Sequence, residues 1–275
     1  LALGKGVLIC NSNEEANSAI EQIMTDRTFG DAGTSVLIQE LITGMEISLH
    51  ALCDGKTAKL FPSSQDHKRA LENDLGLNTG GMGTYSPVPF LKEDKLSEIA
   101  SAVIEPWLSG CAREGIDFRG MIYPGIMLTD EGPKVLEFNA RFGDPETQIY
   151  LTRLKNDLVD LFEASINGTL DEHELQWTEQ SAVCVVIASG GYPSNYEKGK
   201  VISGLEDADA IPGVKVFHAG TKMVNGEFLT AGGRVLGVTA LGDNLLLARN
   251  LAYEAAAMIN FDGAFSRKDI AAKAM

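Results

Sequence analysis

The chain has 275 residues, and its 23 Lys and Arg against 38 Asp and Glu give a formal net charge of −15. So acidic a chain is unsuited to wrapping nucleic acid, which needs clustered Lys and Arg, and it lacks the basic amphipathic face of a membrane-surface binder. With 44% hydrophobic and 22% charged residues it reads as an ordinary folded protein of about two domains, and no apolar run approaches the roughly 20 residues of a membrane helix. Leu1–Val7 has no initiating Met and no targeting pattern, which predicts that the front of the protein lies elsewhere. Ser12-x-x-Glu15 is a capping-box pattern, and Ala16, Ile20, Ile23 and Met24 follow it on one helical face. Val36–Gln39 and Glu46–Leu52 read as strands, with Asp54-Gly55 turning the chain into Ala58–Phe61. From 62 to 90 periodicity disappears into a Gly-, Pro-, Asn- and Ser-rich stretch, predicted to be a long functional loop. Leu96, Ile99, Val103, Ile104 and Trp107 mark a helix kinked near Pro106. Gly120–Leu128 and Lys134–Arg141 read as strands. Asp144-Pro145-Glu146 then reads as an N-cap, a proline at the first helical position and an acid in the first turn. A polar stretch near 168–179 predicts a domain boundary. Short β runs follow it, with a turn at Asn225-Gly226, and then a helix from about Asn244 to Ile259. Cys10, Cys53, Cys111 and Cys184 form no Cys-x-x-Cys pair, which fits reduced thiols and a cytoplasmic location.

The strand Val135–Phe142 is the most informative segment. Side chains alternate across a strand, so Glu137, Asn139 and Arg141 share one face, in a row about 13 Å long at roughly 3.3 Å per residue. Magnesium takes hard oxygen ligands and usually only one or two from protein; Glu137 and Asn139 can supply them, leaving Arg141 to fork onto a phosphate or carboxylate. A half-exposed strand with a Glu–Arg pair explains the same pattern. Gly4-Lys5-Gly6 suggests a phosphate loop but fails the Walker A spacing, and a plain tight turn fits it as well. Asn78-Thr79-Gly80-Gly81-Met82-Gly83, downstream of Asp66-His67-Lys68-Arg69, could wrap an anion beside local positive charge; the bland alternative is a solvated loop. Gln39–Glu46 leaves a strand and could offer backbone groups to adenine and an acid to ribose, although a strand–turn–strand link is the plainer reading. His50 carries no signal of its own.

In order along the chain, several segments resemble one family. They are Gly-Lys-Gly-Val, Gln-Glu-Leu-x-x-Gly-x-Glu, Ser-Gln-Asp-His-Lys-Arg, Asn-Thr-Gly-Gly-Met-Gly-Thr-Tyr-Ser-Pro, Leu-Glu-Phe-Asn-Ala-Arg-Phe-Gly-Asp-Pro-Glu and Phe-His-Ala-Gly-Thr. The family is glycinamide ribonucleotide synthetase, the ATP-grasp phosphoribosylamine–glycine ligases of purine biosynthesis. The resemblance runs from Leu1 to about Lys268 and implies an α+β ATP-grasp fold. Residues 1–50 would be a partial nucleotide-clamping subdomain, 51–170 the central antiparallel-sheet catalytic subdomain, and 171–275 a smaller β-rich C-terminal domain. It implies ATP with Mg²⁺ (or Mn²⁺) as cofactors and glycine and 5-phosphoribosylamine as partners, joined through glycyl phosphate. Glu137 and Asn139 would be metal ligands, and Arg141, Lys68 and Asp66 catalytic. Gly4, Lys5, Gly6, Glu40, Leu41 and Glu46 would hold the nucleotide; His67, Gly80, Gly81, Met82, Gly83 and Asp144 would face the other substrates. The chain departs from the family's pattern at Leu3, Gln39, Pro124 and Ala140. It also lacks the front of the molecule, so by itself it is expected to have little or no ligase activity unless the missing N-terminal segment joins it in trans. Two rivals stay open: another ATP-grasp carboxylate–amine ligase, and a non-catalytic nucleotide-binding module.

Overall fold

Ser12 caps the first helix of the computed structural model, which describes residues 6–275: its hydroxyl oxygen accepts from the Glu15 amide at 3.2 Å. The Glu15 carboxylate returns to the Asn11 amide at 2.7 Å, so the reciprocal bond of the box falls one residue early. The helices are α1 (Asn13–Ile20), α2 (Glu93–Arg113), α3 (Glu146–Arg153), α4 (Leu158–Asn167), α5 (Leu205–Asp209) and α6 (Leu245–Met258). The strands begin with β1 (Met45–Ser48), β2 (Ala51–Asp54), β3 (Ala58–Leu60), β4 (Gln65–Asp66), β5 (Arg69–Leu71), β6 (Leu75–Asn78) and β7 (Gly83–Ser86). They continue with β8 (Arg119–Thr129), β9 (Gly132–Asn139), β10 (Ser181–Ser189), β11 (Val214–His218), β12 (Thr221–Val224), β13 (Glu227–Thr230), β14 (Arg234–Gly242) and β15 (Ala264–Phe265).

Two sequence expectations fail here. Val36–Gln39 forms no strand; Leu37 and Ile38 are 79% and 73% exposed, and an extended segment without a partner among the described residues leaves its peptide groups to water. The stretch 62–90 is not structureless but carries β4, β5, β6 and β7. Those strands are too short for two-residue alternation to be read.

β8 is the spine of the first sheet. β1 and β2 run along one edge in unbroken antiparallel register, Ser48 opposite Gly125 and Ala51 opposite Ile122. β9 runs along the other edge, with Tyr123 opposite Asn139 and Gly125 opposite Glu137, and β3 pairs outside β2. Alternation then divides the sheet. Ile47, Leu49, Ala51, Ile122 and Ile126 belong to one hydrophobic cluster with Leu96, Ile99, Val103 and Ile104 of α2. On the opposite face, Leu52 and Met121 pack with Phe61, Tyr150 and Leu161 under α3 and α4. Beyond them that face turns polar.

The second sheet has the order β11-β14-β10-β7-β4, with β15 also on β10. Val183 lies opposite Tyr85 and Cys184 opposite Thr84. Segment 65–86 and the C-terminal region therefore share a single hydrogen-bonded sheet that spans the 170/171 division. Ala248, Ala252, Ala255 and Ala256 form the buried stripe of α6, small enough for the helix to lie close on β10 and β14. Asn244 caps α6 through the Leu247 amide, and the Asn225-Gly226 turn joins β12 to β13 as expected.

Ile126 is wholly buried at the centre of the first cluster. Ile126→Ala is expected to cost about 3 kcal/mol through lost transfer energy and the cavity left behind, read as a lower urea midpoint at unchanged slope.

Candidate active site

The polar face is assembled from directly opposed residues of three strands, which project to the same side. Glu46 and Ser48 come from β1, with His50 just beyond it; Tyr123 and Gly125 come from β8, Glu137 and Asn139 from β9. The Asn139 side-chain amide donates to Glu137 Oε1 at 3.0 Å, and Arg141 Nη2 donates to Asn139 Oδ1 at 3.2 Å. The predicted row thus exists, although β9 ends at Asn139 and Arg141 sits in the bend after it. Glu137 and Arg141 are exposed and Asn139 half-buried, so the row faces solvent. Gly125 leaves a notch beside it: a Cβ there would lie 3.7 Å from Glu137 Cγ.

Next to the row is a buried ionic cluster. Lys68 Nζ lies 2.8 Å from Asp66 Oδ2, 3.9 Å from Glu146 Oε1 and 3.3 Å from the Tyr123 hydroxyl. Its side chain is 31% exposed while both carboxylates are almost wholly covered. Glu146 Oε1 also accepts from Ser48 at 2.8 Å and from Tyr123 at 2.7 Å. Tyr123 is stacked on His50, ring centroids 4.0 Å apart; His50 Nδ1 meets the Tyr150 hydroxyl at 3.1 Å, and that hydroxyl meets Ser64 at 2.6 Å.

Burial sets the electrostatics. It pushes Asp66 up to about 7, aided by the Glu146 charge and opposed by Lys68. Burial also opposes ionisation of Glu146, but Lys68, His50 and the Tyr123 and Ser48 donors outweigh it and hold that acid below its usual value. Lys68 is desolvated too, yet Asp66 and Glu146 raise it well above an ordinary lysine. Glu46 is raised by burial, with Glu146 and Glu137 repelling its charge and Lys68 attracting it. Burial lowers His50 to about 4 and His67 to about 3, so both rings are neutral near pH 7.

The structure gathers Asp66, Lys68, Glu46, Glu137, Asn139 and Arg141 around this face. It treats the other expected residues differently. Gly4 and Lys5 lie outside the described residues; Gly6 is in a turn. Glu40 and Leu41 are exposed, Glu40 standing 3.8 Å from Lys134 Nζ. His67 spends both ring nitrogens internally, Nδ1 on the Gly83 carbonyl at 3.1 Å and Nε2 accepting from the Ala271 amide at 3.3 Å. Met82 is fully buried, and its amide donates to the His67 carbonyl. Asp144 does not cap α3. Pro145 occupies the cap position and Glu146 begins the helix, while the Asp144 carboxylate binds Arg234 at 2.9 Å and Gln148 at 2.9 Å. Glu146 is correspondingly no exposed first-turn acid but the best-bonded carboxylate in the cluster. Ser48, His50, Tyr123, Glu146 and Arg234 were missed from sequence. A cavity of about 400 Å³ at α1 and one of about 180 Å³ between α2 and β3 both lie away from this cluster.

Two hard oxygen donors suit magnesium, which leaves most positions to water and phosphate. Among the described residues no group of three His, Cys, Asp or Glu side chains is set to hold a metal, so the fit rests on Glu137 and Asn139. The Asn139 oxygen is turned to Arg141; ligation would release that guanidinium.

One family model, phosphoribosylglycinamide synthetase, ATP-grasp (A) domain, matches residues 1–147, more than half of the chain. The chain belongs to the phosphoribosylglycinamide synthetase family. The C-domain model of the same family matches residues 182–273. The chain is 49% identical to a phosphoribosylamine–glycine ligase of Rhodopirellula baltica, covering all of itself and 63% of that protein. It is 47% identical to the human trifunctional purine biosynthetic protein adenosine-3, of which it spans 27%. The crystal structure of phosphoribosylamine–glycine ligase from Thermotoga maritima superposes with a TM-score of 0.81 at 35% identity, over 98% of this chain and 66% of that one. The biotin carboxylase domain of a Hydrogenobacter thermophilus carboxylase, solved with MgADP and bicarbonate, gives a TM-score of 0.70 at 14% identity, over 96% of this chain and 56% of that one, a likeness of fold alone. The fold is ATP-grasp. Among the described residues no helix is long and apolar enough to cross a membrane.

Asp66 holds its proton more tightly folded than unfolded, so its contribution to stability is full below pH 3.8 and is lost as pH rises through about 7. His50 and His67, lowered to about 4 and about 3, act in the opposite sense and add stability as pH rises toward 6.5. Asp66→Asn keeps the histidine contribution and removes the first, so wild-type stability minus that of the variant should fall steadily between about pH 4 and 7 in urea titrations.

Proposed function

We propose that this chain forms the central and C-terminal part of an ATP-dependent ligase that joins glycine to 5-phosphoribosylamine, giving glycinamide ribonucleotide, ADP and phosphate in purine biosynthesis. The observation that carries the reading is the juxtaposition of the Glu137–Asn139–Arg141 row with a buried, partly solvent-reaching Lys68 cluster on one sheet face. A glycine carboxylate oxygen attacks the γ-phosphorus of ATP, the bond from that phosphorus to its bridging oxygen breaks, and ADP leaves. The amine of phosphoribosylamine then attacks the carbonyl carbon of glycyl phosphate. A C–N bond forms, the C–O bond to phosphate breaks, and the amine gives up a proton.

Glu137 and Asn139 would hold Mg²⁺ or Mn²⁺, which when bound offsets charge on the phosphates. Arg141, released from Asn139, forks onto the transferring phosphoryl oxygens. Glu40 and Leu41 meet the adenine, Glu46 the ribose, and Gly4, Lys5 and Gly6 the phosphates. Lys68 attracts the anionic acyl phosphate, and Asp66, with a proton affinity matched to neutral pH, takes the proton of the incoming amine. Gly80 and Gly81 wall the amine side, with Met82 and Gly83 packed behind them; Asp144 acts through the loop it anchors. The relatives' additional length is the expected source of further nucleotide contacts, in the same polypeptide or in trans. A cytoplasmic location goes with this reading.

The test uses the full-length protein that carries this chain. ADP release should require both glycine and phosphoribosylamine and should stop when EDTA removes the divalent ion. Glu137→Gln and Lys68→Met should each lower kcat by about 100-fold or more, the scale of losing a group that stabilises transition-state charge. ADP release supported by another carboxylate instead of glycine would replace this reading with a different ATP-grasp ligase. Mg·ATP binding without turnover, unchanged in Glu137→Ala, would replace it with a nucleotide-binding module.

A further inference from the structure

Arg234 opens β14, 154 residues from the loop it grips. Its Nη1 donates to the carbonyls of Gly80 at 2.8 Å, Gly81 at 3.3 Å and Asp144 at 2.6 Å, and its Nη2 to the Asp144 carboxylate at 2.9 Å. The Gly80 amide donates to the Tyr192 hydroxyl at 3.2 Å. On the far side the loop meets the ionic cluster. A Cβ on Gly80 would fall 2.8 Å from the Arg234 guanidinium carbon, and one on Gly81 would fall 2.5 Å from Pro145 Cδ and 2.7 Å from Asp66 Oδ2. Between the guanidinium and the Asp66 carboxylate there is room for peptide backbone and nothing more.

We propose that Arg234 is a positioning residue for the amine half-reaction: it pins the Gly80–Gly81 strap against Asp66 and so fixes the wall that the incoming amine meets. The inference rests on the ligase reading and adds to it a residue from the C-terminal region. The chemistry of the side chain supports the role. A planar guanidinium presents several donors in a fixed fork and can tie three carbonyls and a carboxylate together, which a lysine ammonium cannot reproduce. Its side chain is 20% exposed and both of its terminal nitrogens donate to protein oxygens, so it serves as a tie rather than a substrate anchor. Asp66 is faced by Lys68 and Glu146 as charged groups and by the His67 amide, and Gly81 of the strap lies against the same carboxylate.

The experiment compares Arg234→Ala, Arg234→Lys, Gly80→Ala and the Gly80→Ala/Arg234→Ala double variant in the full-length protein. Amide exchange over 80–83 should speed up by about 10-fold or more in Arg234→Ala, as expected when a tethered segment opens locally. KM for phosphoribosylamine should rise about 10-fold while KM for ATP stays within about twofold, the pattern of lost binding to one substrate. The acid limb of kcat/KM should move to lower pH, because a hydrated Asp66 ionises more readily. Arg234→Lys should not rescue these effects. Gly80→Ala should reproduce them alone but add less than about twofold to Arg234→Ala, since the guanidinium it meets is gone. A lower melting temperature with unchanged exchange, unchanged KM values and an unmoved limb would overturn the inference. So would full additivity in the double variant. Absence of glycine-dependent ADP release from the wild type would instead overturn the ligase reading, and the exchange and pairwise measurements, the latter read as stability, would still decide whether Arg234 holds the strap.

Discussion

Lys68 serves two buried carboxylates at once, and the surrounding elements are arranged around that shortage of positive charge. Asp66 arrives on β4, Glu146 at the start of α3, Tyr123 on β8 and Ser48 on β1. Burying ionised groups is costly unless each is paired and hydrogen-bonded. Glu146 meets that condition through Ser48, Tyr123 and Lys68, and so remains an anion. Asp66, with Lys68 and one backbone amide, is left to compete for the same cation, and it is the member of the pair that takes up a proton. Two carboxyl groups within 4 Å of one lysine nitrogen are thereby given different protonation states by their surroundings, which is how one site can supply both a fixed charge and a proton acceptor.

The arrangement also explains why the two sheets cannot be treated separately. β7 pairs with β10, so the strand that follows the glycine loop is stitched into the C-terminal region. Arg267, almost wholly buried, donates to Asp269 through Nε and Nη2, reaches the Arg69 carbonyl and Asp74 through Nη1, and steadies the β5–β6 hairpin. The Ala271 amide holds the His67 ring in place. The backbone of residues 65–86 is thus held from the C-terminal region at three points: by strand pairing, by Arg234 and by the segment from Arg267 to Ala271.

How much of this was legible follows from the range of each interaction. Capping at Ser12 and the turn at Asn225-Gly226 are local, and local chemistry sufficed to place them. The row Glu137, Asn139, Arg141 was legible because alternation puts every second residue on one face. The same rule applied to Glu46, Ser48 and His50 would have marked the opposing row; the apolar residues between them directed attention to the core instead. Glu146 was concealed by its position in a helix's first turn, where an acid has an ordinary explanation. Val36–Gln39 had the composition of a strand but no partner among the described residues, and composition cannot supply one. Arg234 could not be found at all, since its partners are mostly carbonyl oxygens, which every residue possesses.

Gly125 shows how much can turn on an atom that is missing. It sits in the middle of β8 with Ser48 on one side and Glu137 on the other, and an added Cβ would just touch Glu137 Cγ, at 3.7 Å. Alanine would fill that space without pushing; any longer side chain would have to lever the Glu137 carboxylate outward. The floor between the two polar rows is therefore bare peptide, with room for a methyl group and nothing longer. The depth of the notch between those rows is governed by the smallest residue in the sheet, which contributes no side chain of its own.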